Sequence, residues 1–185
     1  NLCAWSKQKQ AAIYTSIMVK ENGCFFNRGG FVQPNGVVST YDKRKAFGLG
    51  GEDCVFTSGN QETIVEYLGW KFNLQICYDL RFPELIRNRL DENRLPAYDV
   101  LLYVANWPQK RVTHWTTLLQ ARAIENQCYA LGVNRVGTDG MDLYYSGSSA
   151  AYDGLGQTIV VMNDQEGLAS FTLNQQDLID LRRSL

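Results

Sequence analysis

Residues Lys71–Leu85, KFNLQICYDLRFPEL, run from an apolar, strand-like stretch through one cysteine into a charged segment punctuated by proline. Pro83 suits the first turn of a helix, where its missing N–H costs little, so FPELIRNRL reads as helical from about Phe82. The stretch is then a strand-to-helix turn with Cys77 at the break. Its reading decides whether that cysteine fills the end of a buried strand or is a nucleophile held out at a turn.

On both sides strands and helices alternate. Upstream, Ala12–Val19 is rich in β-branched and aromatic residues and reads as a strand, followed by a turn at Glu21-Asn22-Gly23 and a second strand near Phe25. Pro34-Asn35-Gly36 lies between Phe31-Val32 and Val37-Val38, a hairpin signal because Asn-Gly tolerates positive φ. Gly48–Gly59 is a glycine-rich loop, and Glu62–Tyr67 and Lys71–Cys77 are strands that meet at Gly69. Downstream, Val100–Ala105 is a continuous apolar run of the kind buried on both faces of a sheet. Arg111–Asn126 places Trp115, Leu118, Leu119 and Ala123 at helical spacing. Strands are expected at Tyr129–Val136, Ser149–Asp153, Gln157–Val161 and Ala169–Leu173, with helices at Trp5–Gln10 and from about Gln175. This order implies an α/β layered sandwich, a single domain over residues 1–185.

At 45% hydrophobic and 20% charged residues the chain has ordinary globular proportions. A net charge of −1, a pI near 5.9 and scattered basic residues give no footprint for nucleic acid or an anionic membrane. No apolar run approaches the length that spans a bilayer. Cys3, Cys24, Cys54, Cys77 and Cys128 are odd in number and lack a C-x-x-C pair, so reduced thiols in a cytoplasmic protein are expected rather than a disulfide framework. The single histidine, His114, reads as a surface or helix-packing residue and cannot supply a His-rich zinc site. Acid–base chemistry is therefore expected from Lys, Glu, Asp or Tyr. By themselves Cys77 reads as a small buried hydrophobe, Lys43 as a solvated strand-end lysine and Glu52 as a loop carboxylate.

Four stretches change that reading because they occur together and in order: YDKRKAFGLGGE (41–52), ICYDLRFPEL (76–85), ANWPQKR (105–111) and LLQARAIENQCYALGVNRVG (118–137). From about Ala12 to Leu181 the chain resembles the nitrilase, or carbon–nitrogen hydrolase, superfamily, and within it the omega-amidase-like branch. The resemblance implies a four-layer α-β-β-α sandwich, a homodimer, and Cys-Glu-Lys chemistry without cofactor. On the matching positions Cys77 is the nucleophile, Lys43 the catalytic lysine and Glu52 the auxiliary glutamate that holds it. Lys43 and the backbone N–H of Tyr78 would stabilise the oxyanion, an effect worth roughly 3–4 kcal/mol per donor, and Lys43 would also favour the thiolate.

Arg81 and Trp107 fall near the expected pocket mouth, as a carboxylate partner and an acyl-chain wall, or else as an ion pair with Glu84 or Asp79 and a core aromatic. Lys45-Ala46-Phe47 stands where the branch usually has His-Leu-Phe, so a different pocket is expected beside the lysine. The family's general-base glutamate belongs to a segment upstream of Asn1. Glu21, the only glutamate before Lys43, sits in a turn and takes no role. The chain is accordingly expected to lack an N-terminal segment and a C-terminal tail of the domain.

The expected reaction is hydrolysis of a small linear amide, the omega-amide of a dicarboxylate such as 2-oxoglutaramate, through a cysteine thioester. Nitriles, carbamoyl groups and deaminated glutathione are further substrate classes of the superfamily. Two rivals are a catalytically inactive scaffold of the same fold and a redox-sensing thiol protein.

Overall fold

Asn22 and Gly23 stand at φ 50° and 82°, the pair of positive values that a two-residue type I′ hairpin requires. In this computed structural model, which describes residues 1–184, they join β1 (Ile13–Glu21) to β2 (Cys24–Val32), paired antiparallel from Glu21↔Cys24 to Ile13↔Val32. The second hairpin is also where the sequence places it: Asn35 Oδ1 accepts the Val37 N–H at 3.0 Å, and β3 (Val38–Asp42) returns along β2. These three strands form one sheet, preceded by α1 (Leu2–Lys9), whose buried Ser6 hydroxyl donates to the carbonyls of Ala11 and Val32. Among the described residues β1 is hydrogen-bonded on one side only, and its Ile17 and Met18 are 56% and 66% exposed.

A six-stranded sheet follows. It comprises β4 (Ile64–Tyr67), β5 (Trp70–Ile76), β6 (Val100–Ala105) and β7 (Tyr129–Asn134), then, after the small hairpin β8 (Val136–Thr138) and β9 (Tyr144–Ser146), β10 (Ala150–Tyr152) and β11 (Thr158–Val161). The spatial order is β11-β10-β7-β6-β5-β4, with β5, β6 and β7 mutually parallel and the outer strands antiparallel. The apolar run of β6 is explained by period-two burial. Leu101 and Tyr103 pack against α2 (Val112–Asn126) through Trp115, Leu119 and Ala123, while Leu102 and Val104 pack toward Phe31 and Tyr41 of the three-stranded sheet. Helix α2 lies close because β7 offers Gly132, where a Cβ would come within 2.5 Å of Leu119 and 2.6 Å of Trp115. Helix α3 (Gln175–Ser184) buries Leu178 and is fixed by Arg182, which pairs with Asp99 at 2.7 Å. The expected α/β sandwich is therefore present.

Three expectations are corrected. The helix from Phe82 is a single 3-10 turn, Pro83–Leu85, because the carbonyls that would continue it are taken by side chains: Leu85 O by Arg44 at 2.7 Å and Ile86 O by the Tyr98 hydroxyl. Ala169–Leu173 forms no ladder; Leu173 instead packs beside Leu178 and Leu181. The strand expected through Val136 ends at Asn134, and the chain reappears as the β8–β9 hairpin, with Arg135 N–H bonded to Ala105 O at 3.1 Å.

Candidate active site

At the end of β5 the backbone of Cys77 turns into the left-handed region, φ 48°, and enters a 3-10 turn, Cys77–Arg81. For a residue with a Cβ that conformation costs roughly 1–2 kcal/mol, and it throws the side chain outward as a nucleophile elbow does. The turn is held from two sides. Asp79, fully buried, accepts the Ile76 N–H at 3.2 Å, the Lys45 N–H at 2.9 Å and the Tyr41 hydroxyl at 2.7 Å. From α2, buried Arg122 donates to Leu80 O through Nε at 3.0 Å and Nη2 at 2.7 Å.

Cys77 opens into a cavity of about 1070 Å³ that both sheets line. The C-terminal ends of the parallel strands contribute Asn106, Trp107, Asn134 and Arg135 beside it; the three-stranded sheet contributes Asn27 and Lys43. Lys43, read alone as a solvated lysine, is 5% exposed and ion-paired with Glu52. The Gly48–Gly51 turn makes this possible by folding Glu52 back onto the strand ends. Its Oε2 accepts the Phe47 N–H at 2.7 Å as well as Lys43, and its Oε1 accepts Asn27 Nδ2 at 3.1 Å. Burial by itself raises the Glu52 carboxyl, but these three donors outweigh it and hold the group below the usual carboxylate range. Glu52 is thus a charged anchor for Lys43.

Cys77 behaves differently from expectation. Burial pushes its thiol up to about 11, outweighing the Lys43 ammonium, which favours the anion; the thiol itself points its S–H at the Asn106 carbonyl at 3.9 Å. Lys43 acts in the expected direction while burial acts against it, so forming the thiolate calls for a base. Two carboxylates line the cavity among the described residues, Glu52 and Asp139. Asp139 is taken up by the Tyr145 hydroxyl at 2.9 Å and the N–H groups of Met141 and Leu143. Glu21 pairs with Arg28 at 2.9 Å and does not line the cavity. Tyr78 occupies the first turn of the 3-10 segment, where an N–H has no intrahelical acceptor, and its ring meets Phe47 edge-on at 5.0 Å.

Arg81 pairs with neither Glu84 nor Asp79. Its Nη2 is bonded to His114 Nδ1 at 2.5 Å, and its guanidinium lies 5.9 Å from the Tyr78 ring centroid and 5.5 Å from that of Trp107. Glu84 instead meets Lys45 at 3.8 Å. Trp107 is 3% exposed and packed on Trp115 at 5.7 Å, as a core aromatic is, and it is also among the residues that line the cavity. Lys45 stacks on Phe82 at 4.6 Å and is absent from the lining, so of the Lys45-Ala46-Phe47 triplet only Phe47 shapes the cavity. Sequence reasoning missed Asn27, Asn106, Asp79, Arg122 and Asn134. The last binds Trp107 N–H through Oδ1 at 2.7 Å and the Trp107 and Gly147 carbonyls through Nδ2, and its only signal was its place in one of the four stretches. No group of ≥ 3 His, Cys, Asp or Glu side chains converges as metal ligands among the described residues.

A thiol at a strained turn, a buried ammonium and an open cavity fit attack on a carbonyl carbon. The carbon-nitrogen hydrolase profile matches residues 1–183. The chain belongs to the carbon-nitrogen hydrolase family. Among similar proteins, the omega-amidase YafV of Yersinia enterocolitica is 45% identical over 153 residues, covering 83% of this chain and 57% of that protein. The 2-oxoglutaramate amidase of Bacillus subtilis is 32% identical, covering 92% of this chain and 64% of that protein. The chain thus spans less than two thirds of the length of these relatives. The crystal structure of XC1258 from Xanthomonas campestris, a CN-hydrolase superfamily protein with an arsenic adduct in the active site, superposes with a TM-score of 0.97 at 40% identity, covering 99% of this chain and 70% of that one.

Proposed function

We propose that the protein is a thiol amidohydrolase that converts a small linear amide, the omega-amide of a dicarboxylate such as 2-oxoglutaramate, to carboxylate and ammonia. The observation that carries this reading is Cys77 at φ 48° on the wall of the same cavity as the buried Lys43–Glu52 pair. The sulfur attacks the amide carbon, and the carbonyl oxygen gathers charge beside Lys43 and the Tyr78 N–H. The thiol proton passes to a general base and on to the leaving nitrogen, so that the C–N bond breaks, ammonia departs and a thioester remains. Water, activated by the same base, then cleaves the C–S bond. Following the family resemblance, that base is a glutamate, and Glu52, the glutamate that lines the cavity among the described residues, is already held by Lys43.

Arg81 supports the dicarboxylate part of the reading, because it reaches the cavity with no acidic partner among the described residues. A homodimer in the cytoplasm belongs to the same proposal, checked by light scattering of the full-length protein. The test of the reaction is intact-mass spectrometry of full-length protein with 2-oxoglutaramate: an acyl adduct on Cys77 and released ammonia are expected. Absence of both favours the rival, an inactive scaffold of the same fold. That rival draws support from Glu52 and Asp139, both of which are engaged by other groups and neither of which is free to serve as base.

A further inference from the structure

Asp79 is fully buried and lines no part of the cavity, yet its carboxylate bonds to residues adjoining both Lys43 and Cys77. Tyr41, whose hydroxyl it accepts at 2.7 Å, and Lys45, whose N–H it accepts at 2.9 Å, flank Lys43 by two residues on either side. Ile76, whose N–H it accepts at 3.2 Å, immediately precedes Cys77. No cation pairs with Asp79 among the described residues, so its charge rests on those donors, while burial pushes its carboxyl up. Only a group that accepts through both oxygens meets this arrangement. An amide would turn an N–H toward one of the two backbone N–H groups or toward the phenol.

We propose that Asp79 is a positioning residue whose carboxylate ties the strand end carrying Lys43 to the turn carrying Cys77, and thereby sets the separation of ammonium and sulfur. The proposal rests on the Cys77–Lys43 chemistry given above. Losing the tie displaces the reacting groups, while Trp107 stays on its Asn134 support and Arg81, at the far end of the same turn, keeps its His114 bond. The effect falls mainly on kcat.

The experiment is a double-mutant cycle in the full-length protein, crossing Asp79→Asn with Lys43→Met, read by turnover and by the rate at which iodoacetamide alkylates Cys77. Turnover by Asp79→Asn is expected to fall about 100-fold in kcat with KM changed less than about threefold, the loss associated with small misplacements of reacting groups. Deleting the Asp79 charge also speeds alkylation directly, to the same factor with or without Lys43, so the cycle cancels it. The effect of Asp79→Asn on alkylation is expected to differ about tenfold between the background that keeps Lys43 and the Lys43→Met background, the coupling of residues that act as one unit. Equal effects in the two backgrounds, in folded protein, would overturn the proposal.

Tyr41→Phe keeps the charge and removes one tie. Crossed with Lys43→Met, it is expected to give the same non-additivity at smaller size, and it decides the matter if Asp79→Asn does not fold. Alkylation needs no turnover. If the unsubstituted protein releases no ammonia but the alkylation cycle is non-additive, the amidase reading fails and the positioning role stands.

Discussion

Lys43 and Glu52 form an ion pair whose side chains are 5% and 15% exposed. Removing one partner leaves the other charge buried, so Glu52→Ala is expected to cost about 3 kcal/mol, read as a lower urea midpoint. The acid limb of stability should change as well. A carboxyl held below its ordinary value contributes stability that is present above that value and is lost as pH falls through its folded pKa. Glu52→Ala should therefore show a shallower loss of stability in acid than the unsubstituted chain.

For Cys77, burial sets the pH response. With the thiol pushed up to about 11, the alkylation rate of this chain should keep climbing beyond the 9.0 of an unperturbed thiol, with its midpoint near 11. Lys43→Met should move the midpoint to still higher pH. A midpoint at 9.0 or lower in the unsubstituted chain would mean that the ammonium outweighs burial after all.

The left-handed backbone of Cys77 separates stability from chemistry. Cys77→Gly and Cys77→Ala both remove the sulfur, but only glycine adopts φ 48° without a Cβ clash. The glycine variant should be more stable than the alanine variant by about 1 kcal/mol, measured by urea denaturation, with both devoid of turnover.

Arg81→Ala in the full-length protein should raise KM for carboxylate-bearing amides by roughly 10- to 100-fold, the value of a charge-assisted hydrogen bond, while uncharged amides of equal length change little. Arg81→Lys should restore charge but not the two-pronged geometry, and recover only part of the loss. Equal losses on charged and uncharged amides would remove Arg81 from carboxylate recognition.

What the sequence shows of this fold is what depends on neighbours along the chain. The two Asn-Gly turns are local backbone chemistry, and both hairpins are where the residues place them. The run Val100–Ala105 reads as a buried strand because both faces are covered. The helix after Pro83 misleads because its carbonyls are claimed from afar, Leu85 O by an arginine 41 residues upstream. At the site, that Cys77, Lys43 and Glu52 line one cavity is what the four stretches imply together, and none of the three reads that way alone. Asp79 and Arg122 are not, since a charge in a motif gives no sign of the backbone groups it will satisfy. The sign of the Cys77 shift is hidden for a similar reason, because it depends on the balance between burial and one ammonium.

The free flank of β1 bears on how this polypeptide behaves at the bench. A nine-residue edge whose outward amide and carbonyl groups go unanswered among the described residues, with Ile17 and Met18 jutting beside it, is a template on which a second molecule can zip. Concentrated samples should grow turbid by strand addition, and a lysine in place of Ile17 should keep them clear.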